Sequence, residues 1–175
     1  MPITPALAAG PEILLSAVAE PTGDPDTDTL VRARVGEPFS LYAIVTGVDE
    51  SISGWELGVL IRDGATLSIV EVRSVGDVLF DQNSIGTVGF AKSSFDACTV
   101  VDGILVEIVF ELGSAIATEV QLIGPNYGAP KNAPFYVSCE GTPVNLGGDR
   151  TPIRIELQNI VATSAQSWSG LKASF

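Results

Sequence analysis

Apolar side chains recur at every second position through much of this chain, the period of an extended strand with one face buried. Trp55, Leu57, Val59 and Ile61 alternate with Glu56, Gly58 and Arg62, and residues 67–72 continue after Asp63-Gly64. These two runs are predicted to form a hairpin around which the neighbouring segments pack. The same alternation places Phe39, Leu41, Ala43 and Val45 on one face against Ser40, Tyr42 and Thr46. It is strongest in Ile104, Val106, Ile108, Phe110 and Leu112, set against Glu107 and Glu111. Shorter runs at 78–80, 87–91, 119–123, 135–137 and 151–157 read as further strands. Residues 12–20 are apolar on both faces and bracketed by Pro11 and Pro21, which favours a strand covered on both sides over a helix. Residues 21–29 and 124–134 carry the Pro, Gly, Asp and Asn of loops.

Nine or ten short strands with turn signals between them, and no amphipathic helix or fixed repeat, predict an all-β fold: an antiparallel β-sandwich of jelly-roll topology. The expected organisation is a leader at 1–11, a single sandwich domain at 12–160 and a C-terminal tail at 161–175. A chain of 175 residues can bury a core of its own without metal.

Composition narrows the function classes. The chain is 46% hydrophobic and 17% charged, yet no apolar run reaches the ~18 residues of a membrane helix. Nine basic against twenty-one acidic residues leave a formal charge of −12. Nucleic acid is excluded as an expected partner because phosphate binding needs clustered Lys and Arg, and these are scattered; membrane-surface binding fails for the same reason. Low charge in a soluble chain implies apolar surface buried either within the fold or in an assembly.

Cys98 and Cys139 have forty residues between them and lie in polar, turn-rich settings, and the chain has no histidine. Zinc is therefore disfavoured, and a disulfide is the better reading than two free thiols. Such a bridge would contribute roughly 3 to 4 kcal/mol in the chain-entropy model and implies an oxidising compartment, secreted or at the cell surface. Residues 1–5 lack the basic and apolar regions of a secretory leader, so the chain reads as a mature or late-starting form.

Four stretches together resemble the cohesin-like domains of secreted bacterial and archaeal proteins. Val35-Gly-Glu-Pro-Phe-Ser-Leu is similar to the family's opening strand, and Ile52-Ser-Gly-Trp-Glu-Leu-Gly-Val to its Gly-aromatic strand. Leu67-Ser-Ile-Val-Glu-Val resembles the stretch after that family's Tyr-Asp-Pro turn, here Ile61-Arg-Asp-Gly. Asp102-Gly-Ile-Leu-Val-Glu-Ile-Val-Phe is similar to its late Asp-Gly strand. The resemblance covers about half the chain and implies a jelly-roll sandwich shared with carbohydrate-binding modules, working by surface contact without catalysis. Trp168, Leu171, Lys172, Ala173 and Phe175 are also similar in spacing to the endings of some secreted bacterial surface proteins.

Candidate chemistry is sparse. Asp24, Asp26 and Asp28 have the alternate spacing of a calcium loop's first ligands, but Thr29 and Val35 stand where that loop wants Gly and a bidentate acid, so an exposed acidic turn is the favoured reading and no metal is expected. With no histidine base, nucleophile elbow or phosphate loop, the chain is expected not to be an enzyme, and no cofactor is implied. Tyr127, Tyr136 and Trp168 are the candidates for an exposed aromatic platform, which a glycan partner would need. Ile13, Leu14, Leu15 and Val18 belong to a strand that either pairs within its own sandwich or is donated to a neighbour. The expected function is a protein-interaction module, with copies of itself as the first partner in an extracellular filament or surface structure. A carbohydrate-binding module is the alternative.

Overall fold

The computed structural model describes residues 10–62, 67–75, 77–82, 88–124 and 133–158. Its strands are β1 (Glu12–Ser16), β2 (Leu30–Ala33), β3 (Pro38–Thr46), β4 (Ser51–Ile61), β5 (Leu67–Ser74), β6 (Asp77–Gln82), β7 (Val88–Val100), β8 (Gly103–Leu112), β9 (Thr118–Ile123), β10 (Phe135–Ser138), β11 (Pro143–Asn145) and β12 (Ile153–Leu157). A single turn of helix, α1 (Pro25–Asp28), lies between the first two. One sheet has the order β1-β3-β8-β5; the other runs β11-β10-β4-β9-β12-β2, with β7 against β4 and β6 beyond it. The chain passes repeatedly from one sheet to the other, giving the expected all-β sandwich. Among the described strands only β2 with β12 is parallel.

The long strand β4 has neighbours on both edges. Residues from Ser51 to Leu60 pair with β7, while the opposite edge is shared by β10 along Ile52 to Glu56 and β9 along Gly58 to Ile61. Its inward side chains, Trp55, Leu57, Val59 and Ile61, are at most 3% exposed. They meet Leu41 and Ala43 of β3 and Val106, Ile108 and Phe110 of β8, all fully buried from the other sheet. Phe39 and Phe110, directly opposite in register, stack with ring centroids 5.8 Å apart.

This arrangement overturns the expected hairpin. With both edges of β4 occupied, β5 has no place beside it; β5 joins the other sheet, where Leu67 faces Leu112 and Ile69 faces Phe110 of β8. The connecting Asp63-Gly64 lies outside the described residues. The alternation read in β8 also breaks once: the register shift opposite Ala43 and Ile44 makes Leu105 an extra residue. Leu105 turns inward at 2% exposure and Ile104, expected in the core, is 39% exposed. Three short elements at 25–28, 30–33 and 143–145 lay in stretches read as loops or left unassigned. Asp24-Pro25 is the local signal for the first, since Asp24 caps the turn and Pro occupies its first position.

Two register shifts shape one end of β4. Ser53 is extra relative to β10, and its hydroxyl donates to the carbonyls of Val137 and Ser138 at 3.3 and 3.0 Å. On the other edge Gly54 faces Ser94 and Ile52 faces Thr99, so β7 carries surplus residues there. Cys98 and Cys139 form a disulfide with Cα atoms 5.8 Å apart. Strands flanking a third one stand roughly 9.5 Å apart, so the surplus of β7 carries the chain toward β10 across β4.

β1 ends earlier than expected. Ser16 accepts the N–H of Val18 on its hydroxyl, and Ala17 donates to the carbonyl of Asp28 at 2.7 Å, which draws the chain off the ladder. Within Glu12–Ser16, Ile13 and Leu15 are 1% and 5% exposed and all five residues pair with β3. The opposite edge is hooked: Ile13 donates to Gly147 and Gly147 to Pro11, at 2.9 and 3.0 Å. Gly148, at φ +103°, packs so closely that a Cβ would fall 2.5 Å from the carbonyl oxygen of Ile13. Both the left-handed φ and the contact with backbone demand glycine. Gly148→Ala is expected to destabilise the fold by about 1–3 kcal/mol, read as a lower urea midpoint, whereas Gly147→Ala, whose Cβ would sit 3.7 Å from its nearest neighbour, leaves the midpoint nearly unchanged.

Candidate functional site

The candidates from the sequence separate in space. Asp24, Asp26 and Asp28 do not converge. Asp24 accepts from the N–H of Asp26 and the hydroxyl of Thr27, Asp28 accepts from Thr22 and Gly23, and Asp26 faces Arg154 at 3.5 Å. Among the described residues no three His, Cys, Asp or Glu are grouped as a cation would require. The bond from the Thr22 N–H, with those from Gly23 and the Thr22 hydroxyl, holds the Asp28 carboxyl below the usual carboxylate range, against the opposing effect of desolvation.

Tyr136 does not belong to a surface platform. It is 4% exposed, because β10 turns it into the sandwich beside Trp55, its partner in register. Its hydroxyl donates to Glu50 at 2.7 Å. Burial, then the bond to Glu50 and the charges of Glu50 and Asp49, push its pKa up to about 12. Tyr127 and Trp168 lie outside the described residues, as do the expected tail and all but the end of the leader. Of the proposed assembly strand, Ile13 and Leu15 are core, Leu14 is half-buried on the outer side, and Val18 lies past the end of β1.

Three surface features remain. On the outer face of the four-stranded sheet, Arg73 meets Glu71 at 2.5 Å and Glu107 at 3.1 Å, and Ser40 donates to Glu107 at 2.6 Å. The Ser40 hydroxyl, followed by Arg73, lowers the Glu107 carboxyl, and the Arg73 bond lowers Glu71. Half-exposed Glu71 and Arg73 make this network a minor contributor to stability. On the outer face of the larger sheet, Glu56 and Leu60 of β4 stand beside Gln121 and Ile123 of β9, all half-exposed, with Arg62 donating to Gln121 at 2.6 Å. The third feature is a cleft of about 370 Å³ beside β1, between residues 21–29 and 149–151. Leu14, Leu15, Pro21 and Pro25 give it apolar walls, and Asp28 and Asp149 stand at its rim. Asp149 accepts from both the N–H and the hydroxyl of Thr151. The local signal for this cleft in the sequence is the Asp149-Arg-Thr151 turn after Gly147-Gly148.

No protein-family model matches the chain, and no curated protein sequence does. Solved structures do match. The sixth cohesin of Acetivibrio cellulolyticus scaffoldin B, in complex with a Cel5 dockerin, aligns with 86% of this chain and 100% of its own at 14% identity, TM-score 0.60. A cohesin module from a Clostridium perfringens family 33 glycoside hydrolase aligns with 85% of this chain and 98% of its own at 14% identity, TM-score 0.59. The non-cellulosomal cohesin of the archaeon Archaeoglobus fulgidus covers 95% of this chain and 100% of its own at 13% identity, TM-score 0.56. The fold of this chain is therefore that of the cohesin modules.

The raised pKa of Tyr136 sets the sign of an alkaline effect. The fold favours the neutral phenol, so this stabilising contribution is full below the ordinary value of 10.0 and is lost as pH rises through about 12. Ultraviolet titration is expected to show one of the three tyrosines ionising late. Tyr136→Phe should remove that late phase; a wild-type protein whose phenols all ionise near the ordinary value would contradict the assignment.

Proposed function

We propose that this chain is a non-catalytic, extracellular protein-interaction module that holds a protein partner by surface contact. The observation that carries the reading is the shared fold: similar solved structures span most of this chain, and one of them is a cohesin with a dockerin bound. Several described carboxylates support it, being committed to caps, ion pairs and the Tyr136 hydroxyl. The disulfide and the net charge of −12 fit an oxidising, solvated setting. The contact surface assigned to a dockerin-like partner is the outward face of β4 and β9, where Glu56, Leu60, Gln121 and Ile123 form a mixed polar and apolar patch. β4 is paired on both edges there, so the patch is presented without prior ordering.

The partner placed first is another copy of the chain, in a filament or surface structure built by exchange of β1. The supporting observation is the place of β1 at the end of its sheet, joined to β3 by five residue pairs. Withdrawing Ile13 and Leu15 from the core costs roughly 1.5–3 kcal/mol each, and a neighbour's β1 in the same position restores it.

Light scattering of the purified protein is expected to show masses above one chain that rise with concentration. Locking β1 to β3 through Glu12→Cys with Thr46→Cys, a directly opposed and exposed pair, should hold the protein at one chain. Assembly that persists in the locked protein removes strand exchange. A wild-type protein that stays single at all concentrations removes self-assembly. Titration calorimetry with the Cel5 dockerin and other dockerin modules then tests the wider reading: saturable binding abolished by Leu60→Asp supports it, and failure to bind any of them overturns it.

A further inference from the structure

Along the outer edge of β1 the odd-numbered residues turn their peptide groups away from β3. Pro11 accepts from Gly147, Ile13 donates to Gly147, and Ala17 donates to Asp28, at 3.0, 2.9 and 2.7 Å. The same parity turns the N–H and C=O of Leu15 outward, and no described group meets them. Gly147 closes this edge on one side and Asp28 on the other. The opening between them is the cleft of about 370 Å³.

We propose that this cleft binds an extended segment of another protein, one residue of which pairs with Leu15 while the aliphatic side chain of the residue next to it packs against Leu14, Pro21 and Pro25 and a lysine or arginine further along meets Asp28 and Asp149. Four observations converge on that occupant. An outward peptide group beside apolar walls is the local form of a sheet edge, which an added extended chain satisfies. The volume lies within the ~300–1,000 Å³ of ligand-binding clefts. The proline walls and the internally bonded carboxylates are already ordered, so little freedom is lost when a segment enters. Two acids at the rim of an acidic molecule select a basic neighbour over an acidic one.

The neighbours of Leu15 also set the length of the contact. Gly147 already occupies Ile13 and the Asp28 carbonyl already occupies Ala17, so a single residue pairs and a full added strand is excluded. The site lies on the edge of β1, apart from the outward face of β4 and β9. A β1 supplied by a neighbouring copy would present the same edge, so the inference stands independently of strand exchange.

The test is an NMR titration of the full chain with a capped Lys-Leu-Val-Leu-Lys peptide. Saturable shifts are expected at the amides of Leu15, Thr29 and Thr151. N-methylation of the central valine, or glutamate in place of both lysines, should each weaken binding roughly tenfold. Leu14→Lys should do the same, while Leu60→Asp leaves the peptide affinity unchanged. Should Leu14→Lys lower the melting temperature, Thr151→Trp fills the cleft from an exposed position and serves instead. Absence of shifts at millimolar peptide overturns the proposal, as does equal binding of the N-methylated or acidic peptides. In the protein locked by Glu12→Cys with Thr46→Cys, which cannot exchange β1, shifts at Leu15 that follow protein concentration without peptide would make a second copy the occupant and overturn it equally.

Discussion

A strand has two edges, and in this protein both edges of β4 are used along its length. That constraint organises the rest of the molecule. Because β7 takes one side and β9 and β10 divide the other, β5 is excluded from the sheet and the chain must cross to β8, which closes the sandwich over Trp55, Leu57, Val59 and Ile61. The register shift at Ser53 lets β10 follow the end of β4, and the Ser53 hydroxyl caps the carbonyls near the irregularity. The edges of the two sheets lie elsewhere, on β1, β2, β5, β6 and β11. Among the described strands those edges offer unpaired backbone, whereas β4, paired on both sides, offers a fixed face.

Period-two alternation made the long strands legible in the sequence, since inward and outward positions of β3, β4 and β8 differ in kind as well as in place. It could not reveal which strands pair. Leu67 and Ile69 would suit a hairpin with β4 as well as a ladder with β8; the choice is decided by edges already filled, a property of the whole sheet. Nor does alternation survive a bulge: the one residue inserted at Leu105 sent Ile104 outward while the composition of the run stayed apolar. β2 and β11 are too short for a periodic signal and are strands because a neighbour supplies their ladder.

The candidate site was less legible than the fold. The sequence makes Tyr136 a candidate for an exposed aromatic platform, whereas its place opposite Trp55 and the carboxylate of Glu50 give its hydroxyl a partner inside the rim of the sandwich. The cleft beside β1 draws on residues 14 to 29 and 149 to 151, segments brought together only by the hook of Gly147 and Gly148 on Ile13. The requirement for a residue without Cβ at Gly148 comes from a backbone more than a hundred residues earlier in the chain, and nothing adjacent in sequence announces it.

The bridge between Cys98 and Cys139 has a mechanical consequence. Tension applied anywhere outside these two residues passes through the sulfur–sulfur bond and bypasses the intervening chain, which includes β8, β9 and β10. With a sequence separation of 41, roughly 140 Å of contour length is withheld from extension. Under load the module can lengthen only by its outer segments, and it retains a covalently closed kernel from which the two sheets can re-form when the force is released.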